Sequence, residues 1–123
     1  MEITSEIKNN VRYQVVKGVI DINELVKYLE DIYSSADFDT NIDVFWDLRL
    51  ADFSSVTVEE IHSFMSFVGE HWGKEGKAKA AIVAPDDLGF GLSRMYEMLM
   101  DSETSSDIRV FRDFDQAKEW ISE

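Results

Sequence analysis

Apolar and polar residues alternate over the first twenty positions of the chain, which is the pattern of half-buried β-strands. The apolar positions of the two successive runs are Ile3 and Ile7, then Val11, Tyr13 and Val15. Between the runs stands the pair Asn9-Asn10, and asparagine tolerates the left-handed backbone of a tight hairpin turn. The sequence therefore predicts a β-hairpin as the first part of the fold.

Three later segments place apolar residues three and four positions apart, as in helices that bury one face. Their stripes are Ile22, Leu25, Val26, Leu29, Ile32 and Tyr33; Ile61, Phe64, Met65, Val68 and Trp72; and Leu92, Met95, Tyr96 and Leu99. Two pairs predict capping boxes at the first two helix starts: Asp21 with Glu24, and Thr57 with Glu60. Gly73 and Gly76 suit the end of the second helix. A short last helix should follow Asp113 or Asp115, either of which can cap it.

Three further apolar runs, at positions 42–48, 78–84 and 108–111, predict strands between these helices. The element order is therefore β-β-α-β-α-β-α-β-α, and strands that alternate with helices are parallel with right-handed crossovers. If the strands lie in sequence order, we expect every helix on the same side of the sheet. The alternation in the first two strands predicts a partly open sheet face there, which is a candidate for dimerisation or ligand contact.

The charge of the chain narrows the classes of partner. Its 123 residues fit one domain, spanning 1–123, and 25 acidic residues against 12 basic ones give a net charge of -13. Such a field repels phosphate backbones and anionic lipid surfaces, so we expect no nucleic-acid binding. The excess of acid serves either solubility or an acidic face for a basic partner.

The N-terminus and the absence of cysteine bear on location. The first residues lack a basic region followed by an apolar core, so we expect no signal peptide. No apolar run approaches the roughly 20 residues of a membrane helix. The chain contains no cysteine, which fits a reducing compartment and excludes disulfides and cysteine-ligated metal sites. We therefore expect a cytoplasmic protein without membrane insertion.

Several local strings, in this order and spacing, resemble those of the SpoIIAA-like family, a branch of the STAS fold with similarity to lipid-binding Sec14-type domains. The strings are Phe45-Trp46-Asp47-Leu48-Arg49, Ala80-Ala81-Ile82-Val83-Ala84, Gly91-Leu92-Ser93-Arg94-Met95-Tyr96-Glu97 and Val110-Phe111-Arg112-Asp113-Phe114, followed by Ala117 and Trp120. The resemblance implies an α/β fold, with a five-stranded mixed sheet and four helices. It implies little about activity, since most members of this branch have no assigned function.

In the antagonist branch of that family, a phosphorylatable serine begins the second helix, inside an Asp-Ser-Ser or Asp-Ser-Gly string. The corresponding stretch here contains Ser54 and Ser55. The acid directly before the serine and the glycine after it are missing, because Phe53 and Val56 flank the pair. Because they occupy the corresponding stretch, the resemblance makes Ser54 and Ser55 candidate phosphorylation sites, although the residues on either side differ from the motif.

The sequence offers no recognisable catalytic or metal-binding constellation. Its two histidines, His62 and His71, are nine positions apart and do not share a helix face as a metal-binding pair would. Gly89 and Gly91 open a helix after a strand, but Arg94 stands where a dinucleotide fingerprint needs its third glycine. We expect these glycines to allow a tight turn or a close approach to the sheet. No enzyme activity, cofactor or metal is predicted.

Two arginines suggest where a ligand would bind. Arg49 follows a predicted strand, and Arg94 lies in the first turns of the helix after the next strand. Both are expected near the carboxyl ends of parallel strands, where α/β sheets usually bind ligands. The alternative is that they pair with nearby carboxylates, and the candidates are Asp47, Asp86 and Asp87. The full set of predicted ligand-binding residues is Arg49, Arg94, Tyr96, Trp46 and Phe90.

The functional interpretation is a non-enzymatic binding or regulatory module. It would hold a small apolar, amphipathic or anionic ligand, or a protein partner that includes a second copy of the chain. The alternative is a phospho-regulated interaction protein, similar to anti-sigma-factor antagonists, with Ser54 or Ser55 as its switch.

Overall fold

The computed structural model describes residues 1–36, 38–39, 41–72 and 77–123. Five strands form one sheet, and they are β1 (Glu2–Lys8), β2 (Val11–Val19), β3 (Asp43–Asp52), β4 (Lys79–Val83) and β5 (Asp107–Phe111). The helices are α1 (Ile22–Tyr33), α2 (Val58–Trp72), α3 (Asp87–Met100) and α4 (Phe114–Ile121). This element order is the one that the hydrophobic pattern predicts.

The strands lie side by side in sequence order, β1-β2-β3-β4-β5. β1 and β2 are antiparallel, and the other neighbouring pairs are parallel, so the sheet is mixed. Asn9 and Asn10 form the turn between β1 and β2 with φ angles of 53° and 63°. The predicted hairpin and the predicted parallel crossovers are thus confirmed.

A β-bulge interrupts the pairing of β2 with β3. Val15 faces Asp47 but Lys17 faces Leu50, so β3 advances by three residues where β2 advances by two. The extra residue shifts the alternation of β3, and a strand predicted to stop at Leu48 continues to Asp52. As a result, Leu48 and Ala51 both contribute to the same hydrophobic cluster although they are three residues apart.

Side chains cap the helices largely as predicted. At α1 only half of the predicted capping box forms: Asp21 Oδ1 accepts from the backbone N–H groups of Asn23 and Glu24, at 2.9 and 3.2 Å, and among the described residues the Glu24 side chain does not accept from the Asp21 N–H. At α2 the capping box is complete, because the Thr57 N–H donates to Glu60 Oε1 at 3.0 Å and the Glu60 N–H donates to Thr57 Oγ1 at 3.1 Å.

Two further predictions about helix ends differ in outcome. Of the two aspartates proposed to cap α4, it is Asp113 that accepts from the Gln116 N–H, at 2.9 Å. Gly73 and Gly76, proposed to end α2, lie outside the described residues.

The helices lie on both faces of the sheet. Leu29 of α1, Val68 of α2 and Met100 of α3 pack with Ala80 and Ile82 of β4, and we call this side the α1–α3 face. Buried residues of α4 pack on the opposite side, the α4 face, against four strand residues: Val11, Phe45, Ala81 and Val83. The expectation that every helix shares one side is therefore wrong for α4. The handedness rule constrains only helices that connect two parallel strands, and within the described residues α4 follows β5 without leading into another strand.

The two layers of helices differ in how closely they approach the sheet. In the described part of the chain, the backbones of α3 and α4 approach the strands closely, while those of α1 and α2 approach the neighbouring helices more closely than the strands. Gly89 allows the approach of α3, since a Cβ there would lie 2.9 Å from the ring of Phe53. No described helix is long and apolar enough to span a lipid bilayer.

Candidate functional site

A cavity of about 130 Å³ lies between the α1–α3 face of the sheet and the three helices that cover it. Its wall is mostly apolar, and prominent members are Leu29, Trp46, Phe64, Val68, Ala80 and Ile82. The cavity lies where α1 and α2 stand away from the strands. Ala80 contributes to this opening, because its small side chain leaves space opposite the helices. For comparison, a cavity of roughly 150 Å³ with a similar lining accommodates benzene.

A few polar side chains interrupt this apolar wall. Arg12 and Gln14 project from β2 onto the α1–α3 face, and Ser93 of α3 is buried at the cavity. Gln14 is 1% exposed, and its Oε1 accepts from the Tyr28 hydroxyl at 2.8 Å. Asp39 completes the set of charged residues in the wall. The arrangement suits a ligand that is mainly apolar and carries a polar group.

Two tyrosines line the same cavity. Burial raises the pKa of Tyr33, and burial together with the charge of Tyr33 raises the pKa of Tyr96. Both hydroxyls therefore stay protonated at neutral pH. A protonated tyrosine hydroxyl can donate a hydrogen bond.

Arg12 marks one end of the cavity. It follows Val11, which faces Asp43 at the start of β3, so Arg12 lies at the amino end of the parallel strands. Phe38 and Ile42, from the segment before β3, line the cavity as well. This end is opposite to the one at which the sequence predicts a ligand.

The structure separates the five residues predicted to bind a ligand. Trp46 and Tyr96 line the cavity. Phe90 lies beneath Arg112, whose guanidinium carbon is 4.2 Å from the centre of its ring, and it is outside the cavity wall. Arg49 and Arg94 are also outside the wall, so neither lies at the mouth of the cavity.

Both predicted arginines form ion pairs. Arg49 binds Asp47 through two hydrogen bonds, Nε to Oδ1 at 2.9 Å and Nη2 to Oδ2 at 2.8 Å, and its guanidinium lies 3.9 Å above the Phe114 ring on the α4 face. Arg94 donates to Glu97 Oε2 at 2.8 Å. It lines a separate open groove of about 640 Å³ between α3 and the edge strand β5. Of the proposed carboxylate partners, Asp47 pairs with Arg49 as suggested, whereas Asp87 pairs with Arg112.

Ser54 and Ser55 lie in the exposed segment between β3 and α2. The Ser54 N–H donates to Asp52 Oδ1 at 2.8 Å. Hydrogen bonds from the side chain and backbone of Ser54 lower the pKa of Asp52. The candidate serines thus sit three and two positions before the Thr57 cap, beside a carboxylate that stays ionised at neutral pH.

Arg12 and Gln14 are the polar residues that the cavity brings together, and neither is among the residues that the sequence predicts to bind a ligand. The apolar positions that the alternation predicts for β2 are Val11, Tyr13 and Val15. Val11 and Tyr13 of that set pack on the α4 face, while Arg12, Gln14 and Val16 face the cavity. The signal that could have found Arg12 and Gln14 was the position of β2 inside the sheet. A strand that has neighbouring strands on both sides and helices on both faces buries its polar residues as well.

The order of strands and helices has a close counterpart among solved structures. The chain superimposes with a TM-score of 0.61 on the crystal structure of an uncharacterized DUF3478-family protein with a SpoIIAA-like fold from Shewanella loihica PV-4, covering 98% of this chain and 92% of that one. The fold is SpoIIAA-like. The resemblance found in the sequence is thereby confirmed for the fold, and at 20% identity the likeness extends to the fold alone.

No protein-family model matches the chain, and no curated protein matches it. The SpoIIAA-like fold hosts its candidate site on the α1–α3 face, and the function of that site has to be argued from its own residues.

Proposed function

We propose that this protein is a non-enzymatic binding module that holds a small apolar or amphipathic ligand in the cavity on the α1–α3 face. The observation that carries the proposal is the cavity itself, an apolar space with Arg12 and Gln14 in its wall. Pockets of this kind, mainly apolar with a few convergent polar groups, are the usual form of small-molecule sites.

The energetics of an empty cavity support the same proposal. Side chains that line an unfilled apolar space lack the packing contacts that they would make in a filled core, which is a loss of stability. A ligand that fills the space would recover part of that loss through contacts with the wall.

The proposal is tested by looking for an occupant and by filling the space. Native mass spectrometry of the purified protein, followed by a denaturing spectrum, should show extra mass that disappears on denaturation. Fluorobenzene, followed by ¹⁹F NMR, should bind the natural protein and fail to bind Ala80→Leu, whose longer side chain occupies the cavity. Ala81→Leu, on the other face of the same strand, is the control and should bind fluorobenzene if it folds.

A bare mass combined with no binding of fluorobenzene to the natural protein would contradict the proposal. So would equal binding by the natural protein and a folded Ala80→Leu variant, because the probe would then occupy another place.

A second candidate function is phospho-regulated interaction through Ser54 or Ser55. The observation that favours it is their exposure directly before α2, since a phosphate near a helix N-terminus is stabilised by the free N–H groups and the helix dipole. The test is intact-mass analysis after incubation with a cell extract and ATP. A phosphate on the natural protein that is absent from the Ser54→Ala/Ser55→Ala double variant would support it. No phosphate, or a phosphate on both proteins, would contradict it.

A further inference from the structure

Arg12 differs from the other arginines of the chain. The sequence has five, and four of them form ion pairs: Arg49 with Asp47, Arg94 with Glu97, Arg109 with Asp107 and Arg112 with Asp87. Among the described residues, Arg12 has no carboxylate within ion-pair distance. In a protein with a net charge of -13, a guanidinium without an acidic partner in the described part of the chain differs from the other four arginines.

The position of Arg12 in the structure also sets it apart from the other arginines. The residue is half-buried, and it lies in the wall of an apolar cavity. A guanidinium in such a place is less hydrated than an exposed one, and its attraction for an anion is screened less by water.

Gln14 adds a second polar contact on the same face of β2. It is two residues further along the strand, and its Oε1 is held by the Tyr28 hydroxyl. No other hydrogen bond to this side chain occurs among the described residues, so the NH₂ group of Gln14 retains donors for a ligand. Arg12 and Gln14 therefore offer several N–H donors along one wall of the cavity.

Asp39 is the carboxylate in the same wall, and it has another partner. Its Oδ1 accepts from the Asn41 N–H at 2.8 Å, and its side chain is exposed. It forms no ion pair with Arg12. Water screens an exposed charge strongly, so Asp39 leaves the guanidinium of Arg12 available to an anion in the cavity.

We propose that the cavity selects a small amphipathic monoanion whose carboxylate binds Arg12 and Gln14 and whose apolar body packs near Val44 and Trp46. This inference rests on the proposed binding function and specifies the class of ligand. A planar carboxylate matches the fork of N–H groups on a guanidinium, which favours it over a spherical anion. The net negative charge of the protein opposes anions in general, so the selectivity must arise from these close contacts.

The test compares two probes of nearly equal shape, 4-fluorobenzoate and 4-fluorobenzamide, by ¹⁹F NMR titration at neutral pH. The natural protein should bind the carboxylate at least about tenfold more tightly than the amide, the effect expected of a charged hydrogen bond. Arg12→Gln should lose that preference and still bind the amide with nearly the natural affinity. Arg12→Lys, which keeps the charge without the planar fork, should retain part of the preference.

Arg109→Gln is the matched control, because it removes an arginine that lies outside the cavity wall. It should bind both probes as the natural protein does. Thermal unfolding of each variant shows whether it is folded.

The possible failures separate the two proposals. If the natural protein binds the amide as tightly as the carboxylate, or Arg12→Gln keeps the full preference, the inference about the anion is overturned and the binding function stands. If the natural protein binds fluorobenzene but neither of these probes, the inference about the anion falls and the binding function stands. If it binds none of the three probes and carries no extra mass, both fall.

Discussion

Asp47 is an almost buried carboxylate whose ionisation depends on one neighbour. Burial by itself raises its pKa, but the side-chain and backbone hydrogen bonds from Arg49, together with the charge of Arg49, outweigh burial and lower the pKa below its ordinary value of 3.8. A group with a lowered folded-state pKa stabilises the protein above its unfolded pKa. That stability is lost as the pH falls through the folded pKa, which here lies below 3.8.

Arg49→Gln should therefore have an effect that depends on pH. With the arginine gone, burial dominates, so the pKa of Asp47 rises above its ordinary value and the ionised form becomes unfavourable in the folded state. At pH 7 we expect a loss of about 1–3 kcal/mol, typical of a buried polar group that loses its partner. Because protonation relieves the unpaired charge, the loss should shrink as the pH falls toward 4. Urea unfolding of both proteins between pH 4 and 7 measures it.

Arg109→Gln provides the comparison for that experiment. Its partner Asp107 is 54% exposed, so the pair contributes at most about 1 kcal/mol. A loss in Arg49→Gln that is the same at every pH would contradict the account of Asp47.

At the scale of elements, β4 separates two kinds of packing. Ala80 faces the cavity, while Ala81 is completely buried among Phe45 and Trp120 on the α4 face. The two alanines are neighbours in the same strand, so their backbone environments are nearly the same. What differs is the space that meets each side chain.

This contrast predicts opposite effects for the same substitution at the two positions. Ala80→Leu should leave the free energy of unfolding unchanged or raise it by about 0.5–2 kcal/mol, because the added atoms fill existing space. Ala81→Leu should lower it by roughly 1–3 kcal/mol or more, because no space exists for them. Thermal and urea unfolding of both variants measure the difference. Equal losses at the two positions would mean that the cavity is not available to a side chain.

At the scale of the whole molecule, the sequence predicted the elements well because each is set by local rules. The asparagine pair at 9–10 fixed the hairpin, and Thr57 with Glu60 fixed the start of α2. Local sequence does not determine the side of the sheet on which α4 lies. It depends on which face α1, α2 and α3 leave uncovered, and the crossover rule does not reach a helix that follows the last strand.

The candidate site was less accessible to prediction for a related reason. Periodicity indicates which residues share a face, but it carries no information about the distance between two layers, and that distance creates the cavity. Trp46 and Tyr96 were found because they are large and lie on buried elements. Arg12 was missed because an arginine in an alternating strand is usually directed to solvent, and only the full set of helices shows that this face of β2 is covered.

The strand order has a consequence for how the chain is made. Each strand pairs with the one synthesised just before it, so the sheet can grow at the ribosome by one helix–strand unit at a time, without waiting for distant partners. The exception is the α4 face of the sheet. Phe45, Ala81 and Val83 stay uncovered until α4 emerges, and apolar surface exposed in this way makes a partly made chain prone to aggregation.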